Sequence, residues 1–340
     1  MLIKDDFFEK YSDFYRGKKI LITGGLGFLG SNLAIALVKL GAEVTIQDAL
    51  LELYGGNTFN IEPIKDKVEL HISDIRDEAS VNWLVKGKDL IFHIAAQTSH
   101  VDSMTDPFSD LDMNCRGSLI LLEACRRFNP AAGIVYCGTR GQYGRLEHIP
   151  VSEDHRMNPT DIYGVNKMAA EMYHFIYHRV HNIRSVSLRV NNTYGPRHQM
   201  KHGKYGILNW FIRLAMDNGT IKVFGEGSQM RDYNYVDDVT RAFIMSAACD
   251  EAWGKAFNLG SGKPVAFIDM VRIILSSAGS GKMEQVPWPK DRADIEVGDY
   301  IADFNLIEKV CGWKPEVMFD QGLKETVEFY NKHREIYFNA

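Results

Sequence analysis

The chain has 340 residues, 45% hydrophobic and 24% charged, with a formal net charge of −5. That is enough apolar material for a large core, and the acidic balance speaks against nucleic acid or an anionic membrane surface as partner. Five scattered cysteines form no CxxC and join no His/Cys cluster, so a disulfide framework and a structural metal are not expected, and a reduced cytoplasm is. No apolar run approaches a membrane span, and the first ten residues are too acidic for a signal peptide.

Residues 1–17 read as a short charged and aromatic helix. Lys19-Ile20-Leu21-Ile22 is the first strand, followed by Thr23-Gly24-Gly25-Leu26-Gly27-Phe28-Leu29-Gly30 and the helical run Ser31–Leu40. Strand, glycine turn and helix are the parts of a dinucleotide-binding crossover. Glycine lets the backbone approach a pyrophosphate, and the helix N-terminus offers it free N–H groups. A second strand, Glu43–Gln47, ends in Asp48, 18 residues beyond Gly30. That spacing suits a carboxylate on an adenosine ribose, although a strand-end acid can also be a plain cap. No Arg or Lys follows closely, which favours NAD over NADP.

A loop with Tyr54-Gly55-Gly56-Asn57 follows, then strand Val68–Ile72, the acid Asp74, helix Glu78–Val85 and strand Asp89–Ile94. Small residues Ala95 and Ala96 end that strand. A continuous helix is expected over 107–128, then a fifth strand over Gly133–Cys137 and a helix over Ile162–His181. Alternating β and α predict a parallel sheet with helices on both faces. Gly24, Asp48, Asp74, Ala95 and Thr139 then share the carboxyl edge, where such sheets bind ligands. After strand Arg184–Val190 the pattern becomes irregular, with strands Ile221–Phe224 and Ala256–Leu259 among four helices. The expected architecture is an α/β, Rossmann-like doubly wound parallel sheet with a smaller, interleaved C-terminal α+β substrate region. The expected division is 1–190 for NAD and 191–340 for substrate, with a strand or helix returning from about 234–262.

Tyr163 and Lys167 stand at i and i+4, on one helical face. A phenol titrates near ~10, and a neighbouring ammonium lowers that value. With Thr139 as a hydroxyl donor, the set can take a proton from a carbinol while hydride leaves for NAD.

At this point the residues resemble the extended short-chain dehydrogenase/reductases of the nucleotide-sugar epimerase/dehydratase group. The resemblance covers about residues 17–335. It rests on Thr23–Gly30, Asp74-Ile75, His93-Ile94-Ala95-Ala96-Gln97, Tyr163-Gly164-Val165-Asn166-Lys167, Arg189–Asn192 with Tyr194-Gly195-Pro196, Gln229–Asp238 and Gly312-Trp313-Lys314-Pro315. It implies Tyr163 as base, Lys167 as its partner and ribose ligand, and Thr139 as hydroxyl donor. It places Gly24, Gly27, Phe28, Leu29, Gly30, Ala95, Ala96 and Gln97 around NAD, with Asp74 and Ile75 by the adenine. Asn192 would contact the diphosphate or sugar, Phe224 the base, and Arg231 and Arg292 the diphosphate; surface ion pairs are the other reading for both arginines. A homodimer through the helices near 107–128 and 161–181 is implied.

The 4,6-dehydratases of this group carry an Asp-Glu pair after the Ser/Thr, working at the sugar's C5 and C6. Here Thr139 is followed by Arg140-Gly141. That favours a 4-epimerase: C4 oxidation, rotation of the keto sugar and hydride return. A dehydratase using Cys137 or Arg140, a uronic-acid decarboxylase, an epimerase at another carbon and a catalytically silent nucleotide-binding protein remain alternatives. Arg140 either meets an acidic sugar or points into an ion pair.

Overall fold

The computed structural model describes residues 1–51, 54–289 and 298–338; Arg292 lies outside the described residues. Helix α1 (Asp5–Tyr15) packs Phe7, Phe8 and Tyr15 inward, and the Tyr15 hydroxyl donates to Ile244 O at 2.7 Å. The chain then builds β1 (Lys19–Thr23), α2 (Phe28–Lys39), β2 (Glu43–Asp48), β3 (Val68–Ile72), α3 (Glu78–Leu84) and β4 (Leu90–His93). After α4 (His100–Thr105), α5 (Pro107–Asp110) and α6 (Gly117–Phe128) come β5 (Gly133–Thr139), α7 (Ile162–His181) and β6 (Ser185–Val190).

These six strands and β11 (Ala256–Asn258) form one parallel sheet in the order β11-β6-β5-β4-β1-β2-β3. The chain runs from β1 to one side and returns to the other at β4, so the switch point lies between β1 and β4. Parallel strands need helices over both faces, and side chains alternate between them. Ile20 and Ile22 face α2 and α9 (Val236–Ala247), whereas Leu21, Ile91 and Ile134 face α3 and α6. Thr23 pairs with His93 and Gln47, and Thr139 with Val190, so the carboxyl ends align.

The C-terminal part has its own core of Tyr194, Phe211, Ile221, Val223, Tyr235, Met270, Ile274, Leu323 and Tyr330. It is built from β7 (Asn192–Tyr194), α8 (Ile207–Met216), β8 (Thr220–Phe224), β9 (Met230–Arg231), β10 (Tyr233–Tyr235), β12 (Val265–Ala266), α10 (Phe267–Ala278), β13 (Lys282–Val286), α12 (Phe319–Lys332) and α13 (Arg334–Phe338), whereas α11 (Asn305–Cys311) packs Ile307 into the core of the main sheet beside β11. Its strands pair only in twos. Among the described residues, no helix is long and apolar enough to cross a membrane.

The expected helix over 107–128 is present from Pro107 to Phe128, but it is not uniformly α-helical. A π-helical turn at Leu111–Arg116 separates α5 from α6. The wider turn carries Asn114, whose side chain donates to Gln97 O and accepts from Gln97 N–H. The irregular loop expected after Tyr54 contains a 3₁₀ stretch, Thr58–Lys67, and β7, β9, β10, β12 and β13 were not foreseen. Except for the five-residue β13, these strands have two or three residues, too short for a period, and their pairing is decided by distant partners.

Helix α7 is fastened to the sheet by a buried ion pair. Arg189 Nη2 of β6 lies 2.7 Å from Glu171 Oε1, and both side chains are essentially without solvent. Glu171 also accepts from Ser187 Oγ at 2.6 Å and Gln142 Nε2 at 3.1 Å. Removing one partner of such a pair strands the other charge. Glu171→Ala is therefore expected to cost ~3–5 kcal/mol in urea unfolding. The double variant Glu171→Ala/Arg189→Met should lose less than Glu171→Ala alone; simple additivity would show that the pair is not the cause.

Candidate active site

The glycine turn sits where the sequence places it, and contact distances explain two of its residues. Gly24 has φ +72°, and a Cβ there would lie 2.8 Å from the backbone of Ala95. At Gly30 a Cβ would lie 2.2 Å from Gly24 O, so this glycine lets α2 press against the turn. Gly27 caps α2, with Phe28 and Leu29 as its first residues. Gly24, Gly27, Phe28 and Leu29 line a cavity of about 1010 Å³; Gly30 is not among the lining residues.

Asp48 lines the same cavity and holds the turn: its carboxylate accepts from Leu26 N–H at 3.0 Å and Leu50 N–H at 2.9 Å. Burial raises its pKa, and those two hydrogen bonds act against the rise. Asp74 lines the cavity beside Ile75 and is clasped by Arg76, with Nη2 to Oδ2 at 2.7 Å and Nε to Oδ1 at 2.9 Å. The clasp holds the Asp74 carboxyl below its usual range. It also engages Arg76, the cation nearest in sequence to this edge.

Ala95 and Ala96 line the cavity; Gln97 sits behind it. The Gln97 amide donates to Asp110 Oδ2 at 2.9 Å and to Ser99 O at 3.0 Å, so its contacts are structural. Asp110 in turn accepts from Asn166 of α7 at 2.7 Å. Gln97 thus ties the β4 edge to the helix that carries Tyr163 and Lys167.

Thr139, Tyr163 and Lys167 all line the cavity. The Thr139 hydroxyl accepts from Gly141 N–H at 3.1 Å and hydrogen-bonds to Tyr163. Burial pushes the Tyr163 phenol well above its ordinary pKa; the Thr139 contact opposes this. Cys137 also lines the cavity, with its thiol pushed up by burial, which keeps it protonated at neutral pH. Lys167 Nζ rests 4.3 Å from the Tyr136 ring centroid. Burial pushes its pKa down to about 8, while Cys137, Asp110 and Glu171 pull it back.

Two residues without an assigned role in the sequence reading flank Tyr163. Asp161 caps α7 by accepting from Gly164 N–H at 2.7 Å, and its other oxygen meets His100 Nδ1 at 2.5 Å. The His100 ring stands edge-on to Tyr163, 5.0 Å between centroids. The acid two residues before Tyr163 was a legible helix-cap signal. At the mouth, Tyr205 and Lys204 reach Asp102 at 3.3 and 2.9 Å, and Tyr54 faces Tyr205. Arg140, Asn192, Phe224 and Arg231 also line the cavity, with Phe224 packed on Trp288.

The family model described as GDP-mannose 4,6 dehydratase matches residues 21–326. The chain belongs to the extended short-chain dehydrogenase/reductase family of nucleotide-sugar epimerases and dehydratases. The chain is 32% identical to a UDP-glucose 4-epimerase of Mycolicibacterium smegmatis, over 92% of this chain and 98% of the relative. It is equally 32% identical to a dTDP-glucose 4,6-dehydratase of Streptomyces niveus, over 93% and 94%. A dTDP-glucose 4,6-dehydratase structure from Streptomyces venezuelae, with NAD and TYD bound, superposes with a TM-score of 0.85 at 25% identity, covering 94% of this chain and 98% of that one. Identity therefore leaves epimerase and dehydratase level within this epimerase/dehydratase family.

The buried Lys167 has a measurable signature. An unfolded lysine keeps its proton to about pH 10. Between about 8 and 10 the folded chain binds fewer protons than the unfolded one, so cofactor-free protein should gain stability as pH rises through that window. A displacement from 10.5 to about 8 corresponds to on the order of 3 kcal/mol. Lys167→Met should stabilise cofactor-free protein in urea at pH 7 and do so much less at pH 10. An equal difference at both pH values would contradict the assignment.

Proposed function

We propose that the chain is an NAD-dependent nucleotide-sugar 4-epimerase. The observation that carries this reading is the cavity lining, which holds a hydroxyl, a phenol and an ammonium without an acid–base pair beside Thr139. After Thr139 come Arg140 and Gly141, and Gln142 is buried against Thr139 O and Glu171. Among the described acids lining the cavity, Asp48 and Asp74 hold the cofactor edge, and Asp161 is engaged by His100 and Gly164. Elimination of water needs an acid and a base at neighbouring carbons; inversion at C4 needs neither.

The residues present fit NAD: the glycine cradle leaves no room for a Cβ, and Asp48 offers a carboxylate to a ribose while Arg76 is engaged with Asp74. When bound, NAD supplies the hydride acceptor and donor for C4. Thr139 orients the sugar hydroxyl and passes its proton to Tyr163. Lys167, charged below about pH 8, supplies the positive potential that the buried phenolate requires. Asn192 and Arg231 hold the diphosphate, leaving the sugar free to present its other face in the wide cavity.

A second copy of the chain is the partner we propose. Val165, Met172, Ile176 and Val180 form an exposed apolar stripe on α7. Val101, Met104, Phe108 and Leu111 extend the apolar exposure on the neighbouring segment, with Phe108 77% exposed. Contiguous apolar surface of this kind marks an interface, and helices near 107–128 and 161–181 from two copies would cover it. We place the enzyme in the cytoplasm, where its five free cysteines stay reduced.

Two measurements test the proposal. Incubated with nucleotide sugars, the enzyme should return product of unchanged mass, and Tyr163→Phe should lose ~10²–10⁴-fold in kcat while retaining NAD. Loss of water or carbon dioxide from the product, or near-normal turnover by the variant, would overturn the 4-epimerase reading. Met172→Glu/Ile176→Glu should shift a sedimenting dimer to monomer; an unchanged mass would place the interface elsewhere.

A further inference from the structure

Arg140 is used by neither cofactor binding nor proton transfer in the scheme above, yet it lines the cavity. It follows Thr139 directly, and adjacent Cα atoms are only about 3.8 Å apart. Both residues line the cavity, so the guanidinium shares that space with the hydroxyl that the 4-epimerase reading assigns to C4. Its charge is felt by the Asp161 and Asp232 carboxylates, and two contacts among the described residues bear on its orientation. Nε donates to Asn192 Oδ1 at 3.3 Å, and the guanidinium carbon lies 4.9 Å from the ring centroid of buried Tyr300.

A second observation comes from Tyr233. Tyr233 lines the cavity and is 4% exposed, and its hydroxyl has no hydrogen-bond partner among the described residues. Burial pushes that hydroxyl up, and the charges of Arg231 and Arg140 both act against the push. Two cations and a buried phenol thus share one corner. Guanidinium forks and phenolic O–H groups are donors matched to a carboxylate.

The ring geometry of the substrate narrows where that carboxylate sits. In a hexopyranose the carbons beside C4 are C3 and C5, and C5 carries C6. A side chain next to the C4 site meets a substituent on one of those neighbours. We propose that Arg140 recognises a carboxylate on the sugar next to the reacting carbon, so that the substrate is a nucleotide-linked acidic hexose. The proposal rests on the 4-epimerase reading. The carboxylate is either the C6 acid of a hexuronate or an acid carried on O3.

The test uses NAD-loaded Tyr163→Phe enzyme, so that binding is read without turnover. It is titrated calorimetrically with two matched pairs: UDP-glucuronate against UDP-glucose, and UDP-N-acetylmuramate against UDP-N-acetylglucosamine. One acidic member should bind at least ~10-fold tighter than its neutral partner, and which pair shows the preference assigns the carbon. Adding Arg140→Gln should bring that ratio to within ~3-fold while NAD content stays unchanged, and Arg140→Lys, which keeps charge but loses the fork, should fall between. Equal or weaker binding of both acidic members, or a ratio indifferent to Arg140→Gln, overturns the proposal. Turnover by the unsubstituted enzyme is scored separately. Acid-selective binding without C4 inversion sinks the epimerase reading alone, inversion of neutral sugars without selectivity sinks this one alone, and failure of every UDP-sugar to bind sinks both.

Discussion

The structure depends on how α7 lies against the sheet. This helix turns a polar face inward, burying Asn166, Lys167, Glu171 and His174 where an ordinary helix would bury leucines. Each buried polar group costs free energy unless it finds a partner. Asn166 is taken by Asp110, Glu171 by Arg189, Ser187 and Gln142, and Lys167 rests on the Tyr136 ring. These contacts fix the rotation and height of α7, and with them the positions of Tyr163 and Lys167, while His174 Nε2 and Gln142 Oε1 keep no partner among the described residues. Asp161 fixes the helix start through Gly164 and extends the same network to His100. A lysine held at a pKa of about 8 is the thermodynamic trace of this arrangement. Burial pushes that ammonium's pKa down, and Cys137, Asp110 and Glu171 pull it back up.

The cofactor edge rests on the opposite physics. There, side chains are absent where backbone must approach backbone: Gly24 against Ala95, and Gly30 against Gly24. Asp48 is both a lining residue and the acceptor that ties the glycine turn to the end of β2. Loss of that carboxylate would therefore disturb the cradle as well as any ribose contact. Between the two edges, Thr23 joins β1 to β4 by accepting from Ile94 and Ala95 N–H, so the switch point is stitched by one hydroxyl. The family fold supplies this frame to epimerases and dehydratases alike. In the reading proposed above, the residues after Thr139 are what distinguish the reactions, so Arg140 and Gln142 bear on the chemistry more directly than overall identity does.

Much of this was legible in the chain itself. Local spacing specified the parallel sheet, because alternating apolar strands and amphipathic helices have distinct periods, and the glycine turn, Asp48, Asp74, Thr139, Tyr163 and Lys167 all line the cavity at the carboxyl edge. Those residues were readable because each sits at a fixed offset from a strong local element. Tertiary structure decided the rest. Gln97 belongs to a strut behind the cavity, because its amide finds Asp110 and Ser99 first. The 107–128 helix acquires a π-turn, because Asn114 must reach Gln97 across the gap between β4 and α6. The short strands around β7, β9 and β10 exist only through partners far away in sequence, such as Asn192 with Tyr233 and Arg231 with Val265. His100 and Arg140 take their meaning from Asp161, Asn192 and Tyr300, which lie between 52 and 160 positions away in the chain. A pattern of neighbours along the sequence records periodicity and spacing, whereas which buried polar group satisfies which is settled only when the chain has closed on itself.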